Sequence, residues 1–333
     1  MTLGRVLVTG ATGFIGGEVA RQLAAAGSRT RLMVYRPHRA VYVRGLSDDL
    51  VAGDLTDHQS LTRAVQDIDT VIHLAGRATF EAYGVVRRTL VDGTAALARA
   101  AAASGVKHLV FASSTVVYDG KGPPATAETA PAPWSGYGRA KLEAEQELAT
   151  IAGRTALGVG VLRLPHVYGA QDAMFGMARR GLLVSPGRGT APFSHLHVAD
   201  AARALIRAAE QQWTGMSPIA DELPASWKEF ISVLRGSFPR LRELRVPSSA
   251  AWLGAHAPAL LARLRNRPTL LTPDGVAGWN RSLVVAAGTL WPELDLSPRH
   301  PTIRTGVPDA AREEVPIGWL HSVDDHEGRR QET

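Results

Sequence analysis

The sequence predicts an α/β fold, a doubly wound parallel sheet with a smaller substrate domain at its C-terminal side. Short apolar runs alternate with helical patterns through the first half of the chain, the signature of parallel strands covered by helices. A glycine-spaced turn, Gly10-x-x-Gly13-x-x-Gly16, closes the first run and opens the first helical pattern. Beyond Leu164 the alternation loosens, and after residue 212 proline is frequent and six of the seven tryptophans occur. The length of 333 residues leaves room for two domains, and 45% hydrophobic with 20% charged residues suits a globular chain.

Taken in order, Val6-Leu7-Val8 reads as the first strand and Phe14 to Ala26 as a helix closed by Gly27. Thr30 to Val34, Leu50 to Asp54 and Thr70 to Leu74 read as further strands. A long helix is expected over Val85 to Ala103, then a strand at His108 to Ala112 with Ser113-Ser114-Thr115 at its end. A proline-rich loop, Gly122 to Pro133, leads into another helix, and Gly158 to Leu164 is a strand. His195 to Val198 and the helix Ala199 to Glu210 are expected to return to the main sheet. These elements divide the chain into a dinucleotide-binding domain over 1–165, with 193–212 returning to it, and a substrate-binding domain over 166–192 and 213–324. The polar end, 325–333, is expected to lack ordered structure.

Composition narrows the chemistry. The chain has no cysteine, which excludes disulfides, thiolate zinc sites and cysteine nucleophiles. Met1 to Val6 runs into a strand with no apolar leader, so a cytoplasmic protein is expected. The most apolar stretch, Val246 to Ala262, lies between Arg245 and Arg263 and contains Pro247 and Pro258. It is too short and broken to span a bilayer but suits a hydrophobic cap or an interfacial helix. A net charge of +6 comes without an aromatic-interleaved basic stripe, so the positive field is matched to an anionic cofactor and not to nucleic acid.

The turn Thr9 to Gly16 carries the first site. Its glycines stand where a tight turn, a pyrophosphate and close helix–strand packing leave no room for side chains. The helix amino end beyond it offers amide donors to phosphate. Gly10, Thr12, Gly13, Phe14, Ile15 and Gly16 are therefore cofactor-binding candidates. At the end of the second strand, where an acid would receive the ribose hydroxyls of NAD, the sequence reads Tyr35-Arg36-Pro37-His38-Arg39. Guanidinium groups there suit the 2′-phosphate of NADP, which makes Arg36 and Arg39 candidates and NADP(H) the expected cofactor. Asp54 before Leu55 is placed to receive the adenine amino group, or to serve as a turn residue.

Tyr137-x-x-x-Lys141 pairs a phenol with an amine one helical turn apart. An ammonium beside a phenol favours the phenolate, and a tyrosine tuned towards neutrality exchanges a proton with a carbonyl or alcohol oxygen. Ser114 and Thr115, at the strand end near the expected cofactor, offer hydroxyls to hold that oxygen.

Together these motifs resemble the extended branch of the short-chain dehydrogenase/reductase superfamily over residues 4 to 210. The matches are the glycine turn, Asp54-Leu55, His73-Leu74-Ala75-Gly76, Ser113-Ser114, Tyr137-x-x-x-Lys141, Leu162 to Pro165, Val167-Tyr168-Gly169 and His197-Val198-Ala199-Asp200. The resemblance implies a Rossmann fold and Tyr137 as acid/base. It implies that Ser114 polarises the substrate oxygen, and that Lys141 binds the nicotinamide ribose while lowering the tyrosine pKa. Leu55, Leu74, Ala75, Gly76, Pro165 and Val167 would border the cofactor, Pro165 to Val167 beside the carboxamide. Counting back from Tyr118 selects Ser114 over Ser113.

Three departures bear on the substrate. Leu90-Val91-Asp92-Gly93-Thr94 stands where the family often has Asn-Val-x-Gly-Thr; His166 replaces an asparagine; Ala191-Pro192-Phe193 replaces Arg-Asp-Phe. The last two weaken a nucleotide-sugar substrate and leave His166 a substrate contact. Leu270 to Pro273 and the region of Trp319 are similar to 3β-hydroxysteroid dehydrogenase and dihydroflavonol-reductase-like members. The expected activity is hydride transfer between NADP(H) and a carbonyl or alcohol carbon of a hydrophobic, cyclic substrate, by a monomer or homodimer. A nucleotide-sugar epimerase or dehydratase, and a silent NADP-binding regulator, are the alternatives. His195-x-His197 with Asp200 lacks a third ligand at metal spacing, and no metal is expected. Glu143, Glu145, Glu147, Asp48 and Asp49 read as solvated, and Trp213, Trp227 and Trp252 as core with one or two at the pocket.

Overall fold

A strand covered on both faces reads as a near-continuous apolar run, and the first strand does so over Val6-Leu7-Val8 before a buried Thr9. Strand β1 (Val6–Thr9) is fully buried, with Val6 and Val8 facing one side of the sheet and Leu7 the other. The computed structural model describes residues 3–265, 269 and 271–313. After β1 come α1 (Phe14–Ala25), β2 (Thr30–Val34), β3 (Asp49–Ala52), α2 (His58–Ala64), β4 (Thr70–His73), α3 (Tyr83–Arg87), α4 (Gly93–Ala103) and β5 (His108–Ser114). The middle of the chain forms α5 (Gly136–Ala152), β6 (Gly158–Leu164), β7 (His166–Tyr168), α6 (Ala173–Arg180), β8 (Leu182–Pro186), β9 (Pro192–Phe193), β10 (His195–His197) and α7 (Val198–Glu210). The remainder holds β11 (Gly215–Pro218), β12 (Ala225–Ser226), α8 (Trp227–Ser237), β13 (Arg242–Val246), α9 (Ser248–Gly254), α10 (His256–Leu264), α11 (Pro273–Trp279) and α12 (Ile303–Arg312).

Seven strands form one sheet in the order β11-β6-β5-β4-β1-β2-β3, every pair parallel. The chain leaves β1 in opposite directions through β2 and β4, so the crevice for a ligand opens at the carboxyl ends of β1 and β4. Val19, Leu23, Ala201 and Leu205, from α1 and α7, cover one face. Leu61, Leu97 and Leu148, from α2, α4 and α5, cover the other. A third apolar cluster, built on Tyr168, Phe175, Phe230, Leu234 and Val307, forms the C-terminal layer.

Several expectations need adjustment. The strand His195–His197 does not enter the main sheet. Pro165, without an N–H, follows the last ladder residue of β6, and the chain beyond it pairs with β10 in a separate two-stranded sheet. Helix α7 does pack on the main sheet, as expected. The seventh strand is instead Gly215–Pro218, paired with Gly160–Arg163, so part of 213–324 belongs to the first domain. Trp291 and Leu294 also pack into the core beneath α7. Strand β3 ends at Ala52 and leaves Asp54 in the following turn, while Asp49 pairs with Arg5 at 2.6 Å and Arg31 at 3.1 Å and is not a free solvated acid. The helix expected over Val85 to Ala103 is interrupted by a π-turn at Arg88–Asp92. Trp319 and 325–333 lie outside the described residues, as does Leu270.

Candidate active site

The Gly10 turn lies at the crevice. Gly10 has φ 71°, and a side chain there would come within 2.8 Å of Ala75 N. A methyl at Gly16 would overlap the Gly10 carbonyl oxygen, so α1 can approach β1 only through glycine. Gly13 caps α1 with no side-chain partner for the helix amides, leaving them directed at the crevice with Thr12 and Phe14 beside them. Ile15 packs into the core. Across from Gly10, Thr9 Oγ1 receives Leu74 N and Ala75 N at 3.2 and 3.1 Å, holding Leu74-Ala75-Gly76 over the turn. His73 supports Thr9 through Nδ1 at 2.7 Å; burial pushes its pKa down to about 3, so it is a neutral core residue.

At the end of β2, Arg36 is exposed while Arg39 Nε is buried with no hydrogen-bond partner. A buried, unsatisfied guanidinium nitrogen calls for an acceptor, and a phosphate oxygen fits that requirement. No acidic residue follows β2 before Asp48. Asp54 Oδ1 is engaged by Thr56 N and Oγ1 at 2.8 and 2.9 Å, the turn role foreseen as its alternative. Leu55 is buried beneath Gly93.

Helix α5 begins at Ser135, whose hydroxyl accepts Gly138 N at 3.0 Å and so fixes the first turn that carries Tyr137. Tyr137 is half-buried, with its hydroxyl toward Ser114. Burial raises the Tyr137 pKa, and the Ser114 hydrogen bond opposes the rise. This departs from the expectation that Lys141 sets a lowered value. Lys141 Nζ donates to Ala112 O at 2.7 Å and stands 5.9 Å from the Tyr137 ring centre; burial lowers the amine to about 8, against a pull from Glu145. In this state Tyr137 is a protonated donor.

Ser113 donates to Glu145 at 2.5 Å. Glu145 is 1% exposed and pairs with Arg163 at 2.7 Å, correcting its reading as solvated. Arg163 in turn donates to the Tyr118 hydroxyl at 2.8 Å. Thr115 Oγ1 is buried without a partner, beside a cleft of about 290 Å³ bordered by Pro192 and Leu283. Where the departure at Leu90 removes an amide, the site receives methyl groups: Leu90 packs with Val86, Ala140 and Tyr137.

Three aromatic residues at the site escaped the sequence reading. Phe80 meets the Tyr137 ring edge-on at 5.5 Å and stacks on Trp134 at 5.8 Å. Trp279 stacks on Trp227 at 4.5 Å. The indole nitrogens of Trp134, Trp227 and Trp279 are all buried and unpartnered. Helix α11 joins the two groups: Gly278 touches Trp134, and Asp274 accepts Gly136 N at 3.2 Å. Trp134 lies three residues before Tyr137, a cue the spacing offered; Trp279 has none. His166 packs on Trp227 at 4.7 Å, with Nδ1 3.0 Å from His195 Nδ1 and Nε2 3.6 Å from Asp172. Both its nitrogens face protein groups. Pro165 is buried and Val167 half-buried, packed on the core at the carboxyl edge of the sheet. Trp252 is 45% exposed and is not a core residue.

The model of the NAD dependent epimerase/dehydratase family matches residues 6–218, which hold the whole constellation from Gly10 to His195. The chain belongs to that family. It is an extended short-chain dehydrogenase/reductase in fold and motif. It is 31% identical to a 3-diazoavenalumate denitrifying reductase of Streptomyces sp, over 91% of this chain and 99% of the relative. It is 27% identical to the ceramide reductase of Caulobacter vibrioides, over 96% and 94%. Among solved structures, MoeE5 in complex with UDP-glucose and NAD superposes with a TM-score of 0.75 at 26% identity, covering 92% of this chain and 97% of that one. The UDP-N-acetylglucosamine 4-epimerase of Bacillus cereus, 20% identical with a TM-score of 0.72, shares the fold over 94% and 98%.

Proposed function

We propose that this family member is an NADP-dependent reductase of a carbonyl group on a hydrophobic substrate. The observation that carries the reading is the Ser114–Tyr137 hydroxyl pair with an aromatic flank, Phe80 and Trp134, at the carboxyl edge of the sheet. Reductase relatives that align over nearly the full chain support it. So does the apolar Leu90 beside Tyr137, where a polar sugar ring would need a partner.

A bound nicotinamide nucleotide supplies the hydride. Gly10 to Gly16 and Leu74 to Gly76 would hold its pyrophosphate side, with Arg36 and Arg39 at the 2′-phosphate. Pro165 and Val167 would border the nicotinamide. Ser114 orients the substrate carbonyl oxygen and Tyr137 donates its proton to that oxygen as the carbon gains the hydride. Lys141 keeps a positive charge beneath the site below pH about 8. Thr115 offers a second free hydroxyl.

The purified protein should consume NADPH stoichiometrically with a hydrophobic ketone from a panel of cyclic and long-chain substrates. Tyr137→Phe should slow turnover at least about a hundredfold while NADPH affinity persists. Interconversion of a nucleotide sugar without net NADPH consumption would replace this reading with an epimerase. Full turnover in Tyr137→Phe would remove the tyrosine from the mechanism.

A further inference from the structure

Helices α9 and α10 bury none of their residues, although Trp252, Leu253, Leu260, Leu261 and Leu264 lie on them. Trp252 is 45% exposed and Leu264 75%. Ala255, the single residue between the helices and itself in helical conformation, is fully buried and anchors the segment. Its charge is one-sided. From Leu244 to Pro273 the sequence contains no aspartate or glutamate. Arg263 and Arg265 are exposed and form no ion pair with any described residue. Arg188 is a third exposed arginine with no ion pair among the described residues, in a loop whose neighbouring glycines abut Ser248 and Trp279.

We infer that the α9–α10 segment docks on the surface of an anionic lipid bilayer. A tryptophan and a row of leucines framed by unpaired arginines match an interface that is apolar below and negative above. Among the described residues no helix is long and apolar enough to cross a membrane, so the contact is superficial. A second copy of the same face would set arginine against arginine with no acid to answer it, which disfavours self-association there. The segment is also linked to the candidate site through α11. Helix α9 packs on α11, and Asn280 beyond α11 donates to Ser248 at 3.3 Å. Thr272, the cap of α11, donates to Phe80 O at 2.7 Å, and Phe80 lies against Tyr137. Docking therefore brings a lipid surface to the aromatic flank of the site. The docking stands independently of the reductase reading, and only the delivery of a membrane-dissolved substrate rests on it.

Flotation of the full chain with phosphatidylglycerol/phosphatidylcholine vesicles, without cofactor or substrate, tests the docking alone. Binding should exceed that to pure phosphatidylcholine vesicles by about tenfold or more and weaken with added salt. Leu253→Asp with Leu261→Asp, and separately Arg263→Glu with Arg265→Glu, should each reduce it by about tenfold. Both changes are at exposed positions, and an unchanged melting temperature confirms folding. No flotation, equal flotation with neutral vesicles, or wild-type flotation of the arginine variant would each overturn the docking. So would sedimentation showing a dimer that the leucine variant dissolves. If flotation holds but no ketone is reduced, the reductase reading fails while the docking survives.

Discussion

Glu145 stands one helical turn beyond Lys141 and answers two cations, the Lys141 amine and the Arg163 guanidinium. Its carboxylate also receives Ser113, the residue behind Ser114. Glu145→Gln removes a charge that raises the Lys141 pKa, so the lysine should deprotonate below its present value of about 8. The high-pH limb of the reduction rate should then move to lower pH. The same change leaves Arg163 buried and unpaired, and stability should fall by about 3 kcal/mol. A pH–rate profile beside a urea titration separates the effects: an unmoved limb with lowered stability would make Glu145 purely structural. Tyr137, Lys141 and Ser114 were legible in the sequence because local spacing and a strand end expose them. Glu145 was not, because its pairing is with Arg163, which reaches it from β6 and is itself held by Tyr118.

At the scale of elements, α7 is tied to the C-terminal segment by one carboxylate. Asp200, in the first turn of α7 and fully buried, accepts Arg203 Nη1 at 2.7 Å, His300 N at 2.8 Å and Arg299 N at 3.0 Å. Burial alone would raise its pKa; the bonds from His300, Arg299 and Arg203 outweigh that and hold it at about 2. A folded value below the unfolded one means the native state binds fewer protons. Asp200 therefore contributes stability above pH about 4, and loses it as pH falls towards about 2. His300 is raised, chiefly by Asp200, and contributes at low pH, losing its share as pH rises through its folded value. Asp200→Asn should cost about 3 kcal/mol near neutrality and much less at pH 3, because the wild type has by then surrendered part of the same term. Equal losses at the two pH values in urea unfolding would refute the clamp. The motif containing Asp200 was visible in the sequence, but its partners Arg299 and His300 lie about a hundred residues on, where no periodicity marks them.

Across the whole molecule, the first six sheet strands were readable because each carries its own apolar run and its own helix. The seventh, Gly215-Met216-Ser217-Pro218, has no such run and becomes a strand only through its place beside β6. The C-terminal layer was opaque for the same reason: its two-residue and five-residue pairs, β9 with β12 and β8 with β13, are defined by their partners. The proposed preference for NADPH belongs to this same scale, since it combines a local pair of arginines with the +6 charge of the chain. NADPH carries a 2′-phosphate that NADH lacks. Under the proposed function, Arg36 and the unsatisfied Nε of Arg39 would supply partners for that group. The wild type should bind NADPH at least about tenfold more tightly, the worth of one charge-assisted contact pair. Arg36→Ala should narrow the gap, and Arg39→Ala with Arg36→Ala should nearly close it by weakening NADPH while leaving NADH unchanged. Added salt should act in the same direction, because it screens the extra phosphate more than the shared pyrophosphate held by backbone amides. Calorimetric titration of both nucleotides at two ionic strengths measures all four quantities. Equal affinity of the wild type for NADH and NADPH would reassign the two arginines to the solvated surface.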